Sequence, residues 1–202
     1  MRTPVIVVTG GIASGKTTIA RVMAARGGTI VDCDSLAHRA YDNIELKEML
    51  VRTFGRSVLT PTSRISRVRL GRIVFSDDEM MDRLNRMVRP FIAGIINDEV
   101  GRLRGKALYI VLDAVLFFQY KFRFKVDLVI VTEASEKTRL RRLVTERGLT
   151  REEALMRLDR QKPLHRDWLK ADFTIGTDGP SESVVSVAKK IRDDFLEKYR
   201  VA

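Results

Sequence analysis

Eight residues near the start of the chain, Gly10-Gly11-Ile12-Ala13-Ser14-Gly15-Lys16-Thr17, fit the spacing G-x-x-x-x-G-K-[ST]. They follow the apolar run Val5-Ile6-Val7-Val8 and precede Ile19, Ala20, Val22 and Met23 at helical spacing. The motif therefore reads as a turn between a buried strand and a helix. Glycines are needed there because backbone N–H groups must turn inward around an anion, and a helix starting at Lys16 aims its positive end at the same point. The expectation is a nucleoside-triphosphate site lined by Gly11, Ile12, Ala13, Ser14, Gly15, Lys16, Thr17 and Thr18. Lys16 acts in it as a mobile charge on the outer phosphates, and the Thr17 hydroxyl as a ligand of the magnesium ion that the nucleotide carries.

The first helix should stop near Gly27-Gly28, and a strand over 29–32 follows. Strand, helix and strand in that order make a right-handed parallel crossover, with ligands gathered at the carboxyl ends of the strands. Asp32 and Asp34 then stand on the rim that carries the glycine-rich turn. For Asp34 two roles remain open, orienting an acceptor hydroxyl and taking its proton, or capping a helix that begins at Ser35. Residues 35–105 read as consecutive helices. Ser76-Asp77-Asp78-Glu79 is a capping box, and Pro90 opens a further helix bearing Phe91, Ile92, Ile95 and Ile96. Arg83, Arg86 and Arg89 share a face, most simply a solvated one.

The sheet resumes over 107–112 and ends at Asp113, placed to hold magnesium directly or through water. Another strand over 126–132 leads through Ser135 into a helix with Leu140, Leu143 and Val144 on its apolar side. Arginines are dense from there on, at 139, 141, 142, 147, 151, 157 and 160, on two helices that meet around Gly148. A mobile arginine-rich hairpin is a way of bringing cations to a migrating phosphoryl group when a site closes. Phe173-Thr174-Ile175 is the last strand, and Gly176 to Pro180 a turn. Val184, Ala188, Ile191, Phe195 and Tyr199 form the buried stripe of the final helix.

A net charge of +11 favours anionic partners without choosing among them. The lone cysteine, Cys33, has no partner for a disulfide or a metal site, which points to a reducing compartment. His38 and His165 lack companions at ligand spacing. No apolar run is long enough to span a membrane, so a cytoplasmic location is expected.

Together these signatures resemble the dephospho-coenzyme A kinase family over nearly the whole chain. The carriers are the loop from Thr9 to Thr17, Asp32-Cys33-Asp34, Phe54-Gly55, then Arg67, Leu70, Val74 and Phe75, Leu112-Asp113, Arg157-Leu158-Asp159-Arg160-Gln161, and Ala171-Asp172. The resemblance implies a three-layer α/β phosphate-loop kinase fold with a parallel sheet of about five strands. It implies one domain, with a core of 1–34, 106–135 and 171–202, a helical substrate lobe over 35–105 and a lid over 136–170. The implied activity is transfer of the ATP γ-phosphoryl group to the ribose 3′-hydroxyl of dephospho-coenzyme A, with magnesium. Lys16, Asp34 and Arg142 would be the catalytic residues and Thr17 and Asp113 the metal-side ones, with adenine near the turn at Thr177. The partners would be these small molecules and not nucleic acid or membrane, in a monomer or small homo-oligomer.

Several positions depart from the family pattern. Arg89-Pro90 stands for histidine-proline, and Val115 and Gln119 fall in a segment that is P-L-L-F-E in the family. Thr177 stands for asparagine, and Ala13 for the middle glycine of the loop. At Ala13 an ordinary, permitted backbone is expected. Other sequence-level readings are a kinase similar to the uridine kinases, a nucleotide hydrolase that binds nucleic acid, and a catalytically weakened nucleotide-binding relative.

Overall fold

Val5, Ile6, Val7 and Val8 are all at most 1% exposed, and a run buried on both faces must lie in the middle of a sheet. It forms β1 (Val5–Gly10), the central strand of the computed structural model, which describes residues 2–75 and 77–201. The other strands are β2 (Gly28–Asp32), β3 (Tyr109–Asp113), β4 (Leu128–Glu133) and β5 (Phe173–Gly176), in the order β2-β3-β1-β4-β5. All four pairings are parallel. The register sets Val8 beside Asp113 and Asp113 beside Asp32, so both acids lie at carboxyl ends on the rim that β1 shares. Strand β3 starts two residues later than the apolar run implies, because the Ala107 N–H still bonds to the Leu103 carbonyl, at 3.0 Å.

The helices are α1 (Lys16–Ala24), α2 (Cys33–Arg39), α3 (Ile44–Phe54), α4 (Arg67–Val74), α5 (Asp78–Leu103), α6 (Glu136–Thr145), α7 (Arg151–Asp159), α8 (His165–Trp168) and α9 (Ser181–Tyr199). Ile19, Ala20 and Met23 of α1 pack with Ala188, Phe195 and Leu196 of α9 on Ile6, Val8, Tyr109 and Ile130 of the sheet. The α9 stripe is the one the sequence spacing predicts. The buried Tyr109 hydroxyl shares its proton between the Met23 and Ala25 carbonyls, at 2.9 and 2.6 Å, and so ties β3 to the end of α1.

The chain divides into two compact units. One holds the sheet and comprises the chain up to Asp32, Val100–Phe118 and the chain from Phe124 onward. The other comprises Cys33–Glu99 and Gln119–Arg123. It is helical, with an isolated antiparallel bridge between Leu59 and Ile65.

Two expectations fail in the helical unit. Pro90 does not open a helix; it lies inside α5, which runs unbroken for 26 residues. An interior proline costs about 3 kcal/mol, but Leu84, Val88, Ile92, Ile96 and Val100 are all buried along one stripe that crosses it. At roughly 1.5 kcal/mol or more for each such side chain, that burial outweighs the lost hydrogen bond. Nor does a helix begin at Ser35. Helix α2 starts at Cys33, which puts Asp34 in its first turn rather than at its cap. The proposed capping residue Ser76 lies outside the described residues. The Asp77 carboxylate accepts the Glu79 and Met80 N–H groups at 2.9 and 3.2 Å, so it caps α5. Arg83 and Arg86 are exposed, as a solvated face requires.

Candidate active site

The loop between β1 and α1 turns on glycines at two positions that disfavour a side chain. A Cβ on Gly10 would collide with the Thr132 carbonyl, and Gly15, at φ 87°, is left-handed immediately before α1. Ala13 is left-handed too, at φ 60°. This corrects the expectation of an ordinary backbone there. The conformation costs an alanine about 1 kcal/mol, but its methyl packs with Leu143, Ala154 and Leu158, and burying one carbon is worth about as much.

Three successive loop carbonyls are held from outside. Arg139 Nε donates to the Ile12 carbonyl at 2.9 Å, Arg142 NH1 to the Ala13 carbonyl at 3.0 Å, and Thr177 Oγ1 to the Ser14 carbonyl at 2.9 Å. Each peptide is planar and trans, so an outward carbonyl turns the next N–H the other way. The N–H groups of Ala13, Ser14 and Gly15 therefore face away from these clamps, which is the arrangement of an anion-binding concavity. The Ser14 N–H also closes a turn on the Gly11 carbonyl, at 3.1 Å. The Thr132 hydroxyl donates to the Thr9 carbonyl at 3.2 Å, so at 2.6 Å the Ser14 hydroxyl donates to Thr132.

At the start of α1, Thr17 Oγ1 donates to Asp113 Oδ2 at 3.0 Å, and the Lys16 ammonium pairs with Asp113 Oδ1. The carboxylate side chain is only 7% exposed, which strengthens its pull on both groups. Arg142 also spans to the turn after β5, donating through NH1 to Thr177 Oγ1 at 3.0 Å and through NH2 to the Thr177 carbonyl at 2.6 Å. Burial pulls the Arg139 guanidinium below its ordinary pKa. Asp178, in the same turn, is held below the usual carboxylate range by hydroxyl hydrogen bonds from Thr138 and Ser135, and by the Ser135 N–H at 2.8 Å. A cleft of about 280 Å³ opens beside the loop, with Gly11, Ser14, Arg139, His165 and Trp168 in its walls. His165 and Trp168 face each other there with ring centroids 4.4 Å apart, and Trp168 is buried as an anchor.

Of the residues the sequence singles out, the sheet unit gathers Gly11 to Thr17, Asp113, Arg142 and Thr177 around one loop. Thr18 is exposed on α1. Asp34 belongs to the helical unit, exposed, two residues beyond the end of β2. In that unit Tyr120 is held above its ordinary pKa, by burial first and then by the nearby charges of Asp34 and Cys33. Two loop partners carry little signal of their own. Thr132 reads only as a strand end, and Arg139 is one of seven arginines. No group of three or more metal-ligating side chains occurs among the described residues, and no helix there is long and apolar enough to cross a membrane.

Residues 4–182 match the family model described as dephospho-CoA kinase. A dephospho-CoA kinase of Carboxydothermus hydrogenoformans is 36% identical over 188 residues, covering 89% of this chain and 88% of its own. One of Oryza sativa subsp. japonica is 38% identical over 205 residues, covering 96% and 86%. Among solved structures, TT1252 from Thermus thermophilus superposes with a TM-score of 0.77 at 30% identity, covering 98% of both chains. A dephospho-CoA kinase from Campylobacter jejuni gives 0.57 at 25% identity, covering 95% of this chain and 97% of its own.

Proposed function

The chain belongs to the dephospho-CoA kinase family of phosphotransferases, and from that membership we propose that it transfers the γ-phosphoryl group of ATP to the ribose 3′-hydroxyl of dephospho-coenzyme A. The observation that best supports this reading is the row of three outward carbonyls, Ile12 to Ser14, which leaves the opposite N–H groups of Ala13 and Gly15 for phosphate oxygens.

In this mechanism the loop N–H groups and Lys16 bind the β- and γ-phosphates, Lys16 exchanging Asp113 for the nucleotide. The Thr17 hydroxyl and the Asp113 carboxylate are adjacent hard oxygen donors. They fit a magnesium ion whose other ligands are phosphate oxygens and water. Bound there, such an ion would neutralise charge developing on the transferring group. Arg142 is the hairpin cation assigned to the phosphates, which it would reach by exchanging the Ala13 and Thr177 carbonyls for them, and adenine is assigned to the turn at Thr177. Asp34 orients the 3′-hydroxyl and receives its proton. The new bond joins that oxygen to the γ-phosphorus, the bond to the β,γ-bridging oxygen breaks, and ADP departs with its electron pair. Because such transition states are loose, orientation and charge outweigh proton removal. Asp34 is assigned this role from the match of Asp32-Cys33-Asp34 to the family pattern.

The lone cysteine accords with a reducing compartment, and we place the enzyme in the cytoplasm, as a monomer or small homo-oligomer acting on small molecules. The test is ADP release from folded protein with magnesium and ATP, on addition of dephospho-coenzyme A. Acceptor-dependent ADP and a product phosphorylated at the 3′ position are expected. No acceptor-dependent ADP would overturn the assignment.

A further inference from the structure

The mechanism above gives no part to Gln161 or Arg139, yet both converge on the backbone of Ile12. Gln161 Oε1 accepts the Ile12 N–H at 2.6 Å and Arg139 NH2 at 3.2 Å, while Arg139 Nε donates to the Ile12 carbonyl at 2.9 Å. One guanidinium and one amide thus close a ring on both polar groups of a single residue. Arg139 is 7% exposed. A charge so buried is costly unless its donors are occupied, and its hydrogen bonds to the loop and to Gln161 supply that.

We infer that Arg139 and Gln161 are positioning residues for the phosphate loop, fixing two successive peptides so that the Ala13 N–H, on the side away from both, faces the nucleotide. The Gly11–Ile12 peptide is held through its N–H and the Ile12–Ala13 peptide through its carbonyl. A glycine-rich turn has little intrinsic resistance to rotation of such peptides. Here the incentive to rotate is larger, because Ala13 is left-handed and would relax if the peptide before it turned over. Rotation would point a carbonyl oxygen at the phosphate in place of an N–H. Gln161 is suited to the task because one oxygen accepts both bonds, and Arg139 because its planar fork serves two acceptors at a fixed angle. The inference rests on the nucleotide-binding reading of the loop.

The test compares Gln161→Met, Gln161→Glu and Arg139→Lys with the wild type in direct titration with mant-ATP, in steady-state kinetics and in thermal melts. Gln161→Met removes the acceptor at nearly constant length, and Arg139→Lys keeps the charge but loses the fork. Each is expected to weaken mant-ATP binding about tenfold and to raise the KM for ATP in proportion, with the KM for dephospho-coenzyme A unchanged. Gln161→Glu keeps the accepting oxygen and should bind within about threefold of wild type. Folded variants that bind mant-ATP like wild type, or a Glu variant as weak as the Met variant, would overturn the inference and leave the kinase assignment intact. A wild type that binds no mant-ATP would overturn both. Should Gln161→Met not fold, Arg139→Lys carries the same comparison.

Discussion

Thr17 and Asp113 meet across 3.0 Å because β1 and β3 run in parallel with Val8 beside Asp113, which brings the end of one strand to the first turn of α1. The same carboxylate holds the Lys16 ammonium. Asp113→Asn should raise the magnesium concentration needed for half-maximal rate by about tenfold or more. It should also cost about 3 kcal/mol in the nucleotide-free protein, since it removes the carboxylate paired with a largely buried ammonium. ATP supplies Lys16 with a new partner, so the upward shift in Tm on adding ATP should be larger in the variant than in the wild type.

Asp34→Asn separates the two halves of the proposed chemistry. Turnover should fall about a hundredfold, while the Kd for ATP stays within about twofold, because the loop that would bind it belongs to the other unit. Equilibrium titration beside steady-state kinetics measures both. Turnover at the wild-type rate would leave Asp34 as a favourable charge in the first turn of α2.

Ala13→Gly should be close to neutral for stability. Relief of the left-handed φ gains about 1 kcal/mol, and loss of the methyl from the cluster with Leu143, Ala154 and Leu158 returns about 0.8 kcal/mol. A chemical denaturation curve displaced by more than about 1 kcal/mol in either direction would show that one of these two contributions is wrongly assigned.

Tyr109→Phe should cost about 1–2 kcal/mol, because the Met23 and Ala25 carbonyls lose their donor. It should also change the alkaline limb of the stability profile. Burial holds the Tyr109 phenol above its ordinary value of 10.0, so the folded state favours the neutral form. That stabilisation is complete below about pH 10 and drains as the pH rises through the folded value. Denaturation midpoints measured on either side of pH 10 should fall for the wild type and fall less for the variant.

Strands β1 and β3 are legible because parallel strands covered on both sides are continuous apolar runs. The loop is legible because its glycines and Lys16 are adjacent in the chain. Local rules mislead where a distant packing demand overrides them. Pro90 looks like a helix start until the stripe from Leu84 to Val100 is seen to need one continuous helix. Ala13 looks unconstrained until Leu143 and Leu158 pack beside it. The clamps on the loop are the least legible part. Nothing local to Arg139 distinguishes it from Arg141, and only the fold puts its guanidinium on Ile12.

The residues that shape the phosphate loop are made long after it. Ile12 waits for Arg139, 127 positions later, and for Gln161, 149 later, and Ser14 for Thr177, 163 positions later. During synthesis the glycine-rich motif leaves the ribosome early, but the last of its clamped carbonyls, that of Ser14, has no partner until β5 and the turn beyond it have emerged. The full set of clamps and the completed sheet arrive together, and a chain truncated before β5 should carry the motif intact with the Ser14 carbonyl unheld.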